Sequence, residues 1–230
     1  MAIAVSSTPA RWTGAPANDI DITSVAFTPA NNSLLVVCVE ADSATGSDIT
    51  ISVSGGGLVW TERVMRDFGD VGGNEGHAGI WTAPVSTGAS MQISVRRTAG
   101  DGGTNRISAK GYVVTGQHAS PIGANGEGSS TTNNITPTVF TSTGENSFGF
   151  GAACDWSANG TPASSDLTED AADYAGAISV EDGYKDLGAS GAETMNFDAA
   201  GTGAATWNWV ALEILAAADA GDTLFAQGVC

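Results

Sequence analysis

The residues of this chain that could do chemistry are few in type and widely spaced. Its two histidines, His77 and His118, accompany no G-x-S-x-G turn. Serine hydrolysis needs a serine activated by a histidine that a carboxylate orients, so both histidines are interpreted as solvated polar residues. The cysteines Cys38, Cys154 and Cys230 lack the spacing of a zinc site. We therefore expect no enzymatic activity, no catalytic residue and no cofactor.

Carboxylates are the most numerous ionisable groups, with 25 aspartates and glutamates. They are densest over residues 166–186, where Asp166, Glu169, Asp170 and Asp173 lie close together in the sequence. Calcium takes six to eight oxygen ligands, but the spacing of an EF-hand loop is absent. A solvated acidic face is the plainer interpretation, and these four residues are kept as candidates for calcium.

The positive charges are confined to one part of the chain. Residues 1–110 hold seven of the eight lysines and arginines against ten acids, a net charge of −3, whereas residues 111–230 hold Lys185 against fifteen acids, a net charge of −14. A chain this acidic is not expected to bind nucleic acid or an anionic membrane, because both need clustered lysine and arginine. The basic residues could be scattered surface charge, or they could form a basic edge that docks on an acidic partner. The docking candidates are Arg63, Arg66, Arg96, Arg97, Arg106, Lys110 and, from the N-terminal arm, Trp12.

The elements that must position these groups are strands. Short apolar runs, some alternating with Thr and Ser, are separated by turns rich in Gly, Asn and Pro, and no long amphipathic helix is found. The pattern Ile22 to Ala44 recurs at Ile135 to Ala158, an offset of about 113 residues in the printed sequence. The sequence thus predicts an all-β protein, a β-sandwich or jelly roll built from two related halves.

Five segments are expected. They are an N-terminal arm (1–18), a first β half (19–115), a connector rich in Gly, Ser and Asn (116–134), a second β half (135–215) and a C-terminal tail (216–230). The two halves could form one sandwich or stack as two small ones, and one shared sandwich is preferred because each half alone offers a modest core.

Several strand and turn motifs resemble those of a family of β-sandwich virion proteins of tailed bacteriophages and prophages. The matching motifs are Phe27-Thr28-Pro29, Ser33 to Val37, Leu58-Val59-Trp60-Thr61, Ile80 to Pro84 and Gly151 to Ser157. The resemblance spans roughly residues 20–215 and implies a structural component of the virion, on either head or tail. It marks no active site.

The function expected from these observations is that of a non-enzymatic capsid decoration or cement protein that stabilises the phage head. Its partners would be the major capsid protein, copies of itself, or both, with a trimer as the working hypothesis. The alternative is a tail or fibre component that binds host glycans, with Trp60, Trp81, Trp207 and Trp209 as possible platforms, although core packing is the preferred role of these residues. Because no signal peptide is evident, we expect synthesis in the host cytoplasm and a final location on the virion surface.

Overall fold

The fold is given by a computed structural model of the chain. It describes residues 3–6, 8–14, 20–43, 50–69, 75–98, 106–131, 134–135, 137–156, 166–174, 178–198 and 206–217. Within these ranges the regular secondary structure is entirely β. The prediction of an all-β sandwich is confirmed.

The strands are numbered in chain order. They are β1 (Ala4–Ser6), β2 (Trp12–Gly14), β3 (Ile20–Thr23), β4 (Ser33–Ser43), β5 (Thr50–Gly55), β6 (Thr61–Gly69), β7 (Glu75–Val85), β8 (Ile93–Thr98), β9 (Ile107–Thr115), β10 (Gln117–Ser130), β11 (Asn134–Ile135), β12 (Thr138–Thr141), β13 (Phe148–Asp155), β14 (Thr168–Tyr174), β15 (Ile178–Asp186), β16 (Ala192–Thr194), β17 (Phe197–Asp198) and β18 (Trp207–Ala216).

Two large antiparallel sheets form the middle of the molecule. Sheet I has the order β1-β9-β4-β7-β6, with β2 also paired to β9, and sheet II has the order β10-β18-β13-β15-β14. They pack face to face through one apolar cluster, which includes Val36, Ile80, Phe150 and Leu212. The long apolar strand β4 lies between β9 and β7 in sheet I. Both of its faces are covered, in agreement with its unbroken apolar run Leu34 to Val39.

Smaller sheets cover the two outer faces. Sheet III, with the order β3-β8-β5, packs on sheet I around Ile22, Val95 and Trp81. The pairs β11-β17 and β12-β16 lie over sheet II, where Phe140 and Phe197 join its core. The described strands therefore stack in four layers, with an apolar cluster between each neighbouring pair of layers.

The glycines of β13 show how closely the outer layer approaches sheet II. A Cβ atom at Gly151 would lie 2.8 Å from both Met195 Sδ and Phe197 Cζ. At Gly149 the corresponding distance to the Met195 methyl carbon would be 2.5 Å. The face of β13 that carries these glycines is therefore tightly packed against the outer layer.

Sheets I and II share one strand order once β1 and β2 are matched to β10. The sequence repeat itself remains a prediction, since a shared strand order does not by itself establish a duplicated sequence. The segment expected as a connector, 116–134, contains the 14-residue strand β10. Its polar, non-periodic sequence suits an edge strand with two register shifts, one of them beside Pro121.

The ends of the chain differ in how much of them is described. The N-terminal arm provides β1 and β2, which pair with β9 at the edge of sheet I. Beyond Ala217, the C-terminal tail lies outside the described residues. Among the residues that the structure covers, no helix has the length and apolar character needed to cross a membrane.

Candidate functional site: buried charges between the sheets

A cluster of charged side chains lies between sheets I and II. Arg11, from the arm, donates from Nη1 to Glu40 Oε2 at 3.3 Å and to Ser108 Oγ at 2.8 Å, both on sheet I. Its Nη2 donates to Asp182 Oδ1 on sheet II, and the Tyr112 hydroxyl donates to the other oxygen of the same carboxylate. Arg11 therefore joins the arm and both sheets through one guanidinium group.

The local sequence explains why these side chains meet. Ser108 and Tyr112 have the same parity on β9, so both point from sheet I towards sheet II. Glu40 is directly opposite Ser108 on the neighbouring strand β4. Asp182 faces them from β15, in register with Ala152, whose side chain belongs to the intersheet core.

Burial shapes the electrostatics of this cluster. Glu40 and Asp182 are fully buried, and a buried carboxylate is tolerated when a cation and hydrogen-bond donors are close by. Burial raises the pKa of Tyr112, and the negative charge of Asp182 raises it further, so the phenol stays protonated as a donor. Burial, followed by Asp182 and Glu40, also raises the pKa of the Cys38 thiol, which keeps it unreactive.

A second buried carboxylate, Glu213 on β18, holds the turn before β13. It accepts hydrogen bonds from Ala124 N, from the hydroxyls of Ser142, Thr143 and Ser147, and from Thr143 N and Gly144 N, at 2.8 to 3.1 Å. Burial raises the pKa of this carboxyl, but these donors outweigh that effect and lower the pKa from 4.5 to about 2. Ionised Glu213 thus ties the 142–147 turn to β18 and also binds the neighbouring strand β10 through Ala124 N.

A third group lies at the end of the sheets where β4 stops. Asp42 accepts from the backbone N–H of Arg106, and its own carbonyl accepts from Arg97 Nη1 at 2.5 Å. Burial raises the pKa of Asp42 from 3.8 to about 6, although the hydrogen bond from Arg106 and the charge of Arg97 act in the opposite direction. Asp42 therefore links sheet I to sheet III, but its ionised carboxylate destabilises the folded protein at neutral pH.

The hydrogen bonds of Arg11, Glu213 and Asp42 hold neighbouring segments of the chain in place. Acid–base or nucleophilic catalysis needs a reactive group with a perturbed pKa that faces a space where substrate can bind. Here the Asp182 and Glu213 carboxylates are bound by donors of the same chain on both oxygens. Within the described ranges, no group of three or more His, Cys, Asp and Glu residues is arranged to hold a metal ion.

The seven docking candidates occupy two kinds of environment. Trp12, Arg97 and Lys110 are buried within the chain, and Lys110 Nζ lies 5.8 Å from the centre of the Tyr112 ring. The other four are at least partly exposed: Arg63 binds Thr82 Oγ1, Arg66 pairs with Glu127 of sheet II at 3.5 Å, Arg96 pairs with Asp21 at 2.6 Å, and Arg106 binds Asp42 through its backbone. These four arginines lie on or beside strands of sheets I and III, and docking through the candidate residues remains a prediction.

The calcium candidates are only partly described. Asp166 accepts from Asn196 N at 3.0 Å and from Lys185 Nζ at 3.1 Å. Glu169, Asp170 and Asp173 belong to β14, the outer strand of sheet II, but their side chains lie outside the described part of the structure. Calcium binding by this group remains a prediction.

Sequence reasoning did not identify Arg11, Glu40 and Asp182 as one cluster, nor Glu213 as a separate buried anchor. A signal existed for two of them, because Glu40 and Glu213 interrupt otherwise apolar strands, and such a carboxylate needs partners when buried. No comparable signal marked Arg11, whose partner Asp182 is 171 residues away.

Three comparisons with known proteins were negative. No protein-family model matches the chain, and no significant similarity is found to a curated protein or to a solved structure.

Proposed function

We propose that this chain is a non-enzymatic virion protein that decorates and stabilises the capsid of a tailed phage. The observation that carries the proposal is the Arg11 bridge, through which the arm and both large sheets share one buried ionic cluster. A protein that reinforces a shell must itself resist deformation. The Arg11 cluster resists separation of sheet I from sheet II. Separating the two sheets would break the charge-assisted hydrogen bonds that Arg11 donates to Glu40 on sheet I and to Asp182 on sheet II.

The surface chemistry supports the same role. The chain carries a net charge of −17, and charged residues make up only 14% of it. Like charge on neighbouring copies limits aggregation at the high local concentration of a particle surface. The resemblance of the strand and turn motifs to tailed-phage virion proteins gives the proposal its biological setting.

The decisive experiment compares virions with and without the protein. Copurification in hundreds of copies per particle supports decoration, whereas a handful of copies supports a tail position. Deletion virions are expected to release DNA at a lower temperature and after milder osmotic shock, because a bound protein stabilises the state that it binds. Unchanged heat and osmotic resistance would reject the cement role.

The docking side can be tested with a matched pair of charge reversals. Arg96 is exposed in the first half, whereas Lys185 in the second half is partly exposed and pairs with Asp166 at 3.1 Å. If the first half docks, Arg96→Glu weakens rebinding to deletion virions, increasingly so at low salt, and Lys185→Glu leaves rebinding close to that of the unaltered protein. Equal effects of the two variants would remove the assignment of the first half.

The glycan-binding alternative receives less support from the tryptophans. Trp81, Trp207 and Trp209 are buried in the two outer cores, and Trp60 is half-buried. A platform for sugar rings needs exposed aromatic faces.

A further inference from the structure

We propose that the outer edge of sheet I holds a binding site for monovalent copper, formed by His77 on β7 and Met65 on β6. This inference is independent of the capsid role. It rests on the hydrogen bonding of one histidine and on the register of two paired strands.

His77 is oriented as a metal-binding histidine would be. Its Nδ1 lies 2.5 Å from Asp67 Oδ1, so Nδ1 carries the hydrogen and donates a hydrogen bond to the carboxylate oxygen. Nε2 is then left with a lone pair. His77 is only 1% exposed, so its interpretation from the sequence as a solvated residue is wrong, and within the described residues Nε2 has no hydrogen-bond partner. A buried lone pair without a donor is costly, and a bound cation would satisfy it.

The lone pair lies beside Gly79. A Cβ atom built on Gly79 would be 3.1 Å from His77 Nε2. The imidazole nitrogen therefore lies close to the backbone of Gly79, which has no side chain of its own. Trp81 lies beside the same position, with its ring stacked on the imidazole at a centroid distance of 6.0 Å. An aromatic ring therefore covers one side of the proposed site.

Met65 supplies the second ligand. It is directly opposite Gly79 on the neighbouring strand, while Asp67 is directly opposite His77. Alternation along β6 puts the Met65 and Asp67 side chains on the same face of the sheet. Directly opposite Cβ positions are about 5 Å apart, and the long, flexible side chain of a half-buried methionine can span this distance towards Nε2.

The donor set selects the metal. A thioether sulfur and a neutral imidazole nitrogen are ligands for monovalent copper, whereas calcium and magnesium require oxygen ligands. Hydrogen bonding of Nδ1 to a carboxylate is the arrangement found behind metal-bound histidines, where it fixes the ring and increases its basicity. The negative charge of Asp67 also balances the single charge of the ion.

The test is a titration of the full chain with Cu(I), under anaerobic reducing conditions, against a chromophoric copper chelator. Cys230→Ser serves as the starting protein, because a terminal thiol would itself bind copper. We expect one equivalent to bind and to quench the fluorescence of Trp81, as judged against Trp81→Phe. Asp67→Asn should lower the affinity about 10- to 100-fold, and Met65→Leu should lower it at least as much.

The matched control is Met195→Leu, the same near-isosteric change in the core outside sheet II. It should leave copper affinity unchanged, and urea unfolding should verify that each variant is folded. Absence of Cu(I) binding would overturn the proposal. So would binding that is equally strong in Met65→Leu and Met195→Leu, since the copper would then be held elsewhere.

Discussion

Glu213 offers the sharpest test of how buried charge stabilises this protein. The substitution Glu213→Gln keeps the size of the side chain but replaces one acceptor oxygen with an NH2 group. That group would face donors from Ser142, Thr143, Gly144 and Ser147, all of which now point at the carboxylate. Buried donors would lose their acceptor, and the 142–147 turn would lose its attachment to β18.

The magnitude follows from the pKa of Glu213, which is lowered from 4.5 to about 2. Each pH unit between the folded and unfolded pKa corresponds to ~1.4 kcal/mol, so ionised Glu213 contributes about 3 kcal/mol to the free energy of unfolding. Because the folded pKa is the lower one, this contribution is complete above pH 4.5 and is lost as the pH falls towards 2.

The assays are urea unfolding and thermal unfolding of the unaltered protein and of Glu213→Gln at a series of pH values. At pH 7 we expect the variant to be about 3 kcal/mol less stable, with a midpoint temperature lower by about 10 °C. The difference should shrink steadily below pH 4.5. The control is Glu145→Gln, which removes an exposed carboxylate from the same turn. The reasoning is refuted if Glu213→Gln costs no more than this control, or if its cost is the same at pH 2.5 as at pH 7.

Three further outcomes are expected. The pKa of Asp42 is raised from 3.8 to about 6 in the folded protein. The free energy of unfolding therefore falls as the pH rises between these two values. In chemical unfolding, Asp42→Asn should stabilise the protein by about 3 kcal/mol at pH 8 and by almost nothing at pH 3.5. Arg11→Met should cost about 3–5 kcal/mol, because Asp182 would stay buried without its cation; a loss below about 1 kcal/mol would show that the bridge is unimportant. Gly151→Ala should cost about 1–3 kcal/mol by overpacking, whereas Gly191→Ala, with open space at its Cβ position, should be close to neutral; equal midpoints in thermal unfolding would contradict the close approach of the outer layer.

The strands were largely predictable because they depend on local patterns. Ile51 is buried between exposed Thr50 and Ser52, as the alternation along β5 predicted. The unbroken apolar run of β4 indicated a strand covered on both faces, and sheets II and III cover it. These features follow from side chains that alternate with a period of two, and they need no information from distant residues.

The strand β10 shows where local patterns were insufficient. Its Gly, Ser and Asn composition suggested a connector, because a half-exposed edge strand with bulges lacks a regular apolar alternation. Its pairing with β18 is what makes it a strand, and β18 is separated from it by most of the second half.

The amino-acid sequence by itself determined the all-β class, the central place of β4 and the uneven distribution of charge. It could not determine which charged residues are buried, because arginine or aspartate reads as a surface residue until its partner is known. Arg11 meets Glu40 across 29 residues and Asp182 across 171. Only the stacking of sheet I on sheet II brings these groups together, because their pairing depends on which strand faces which across the layers.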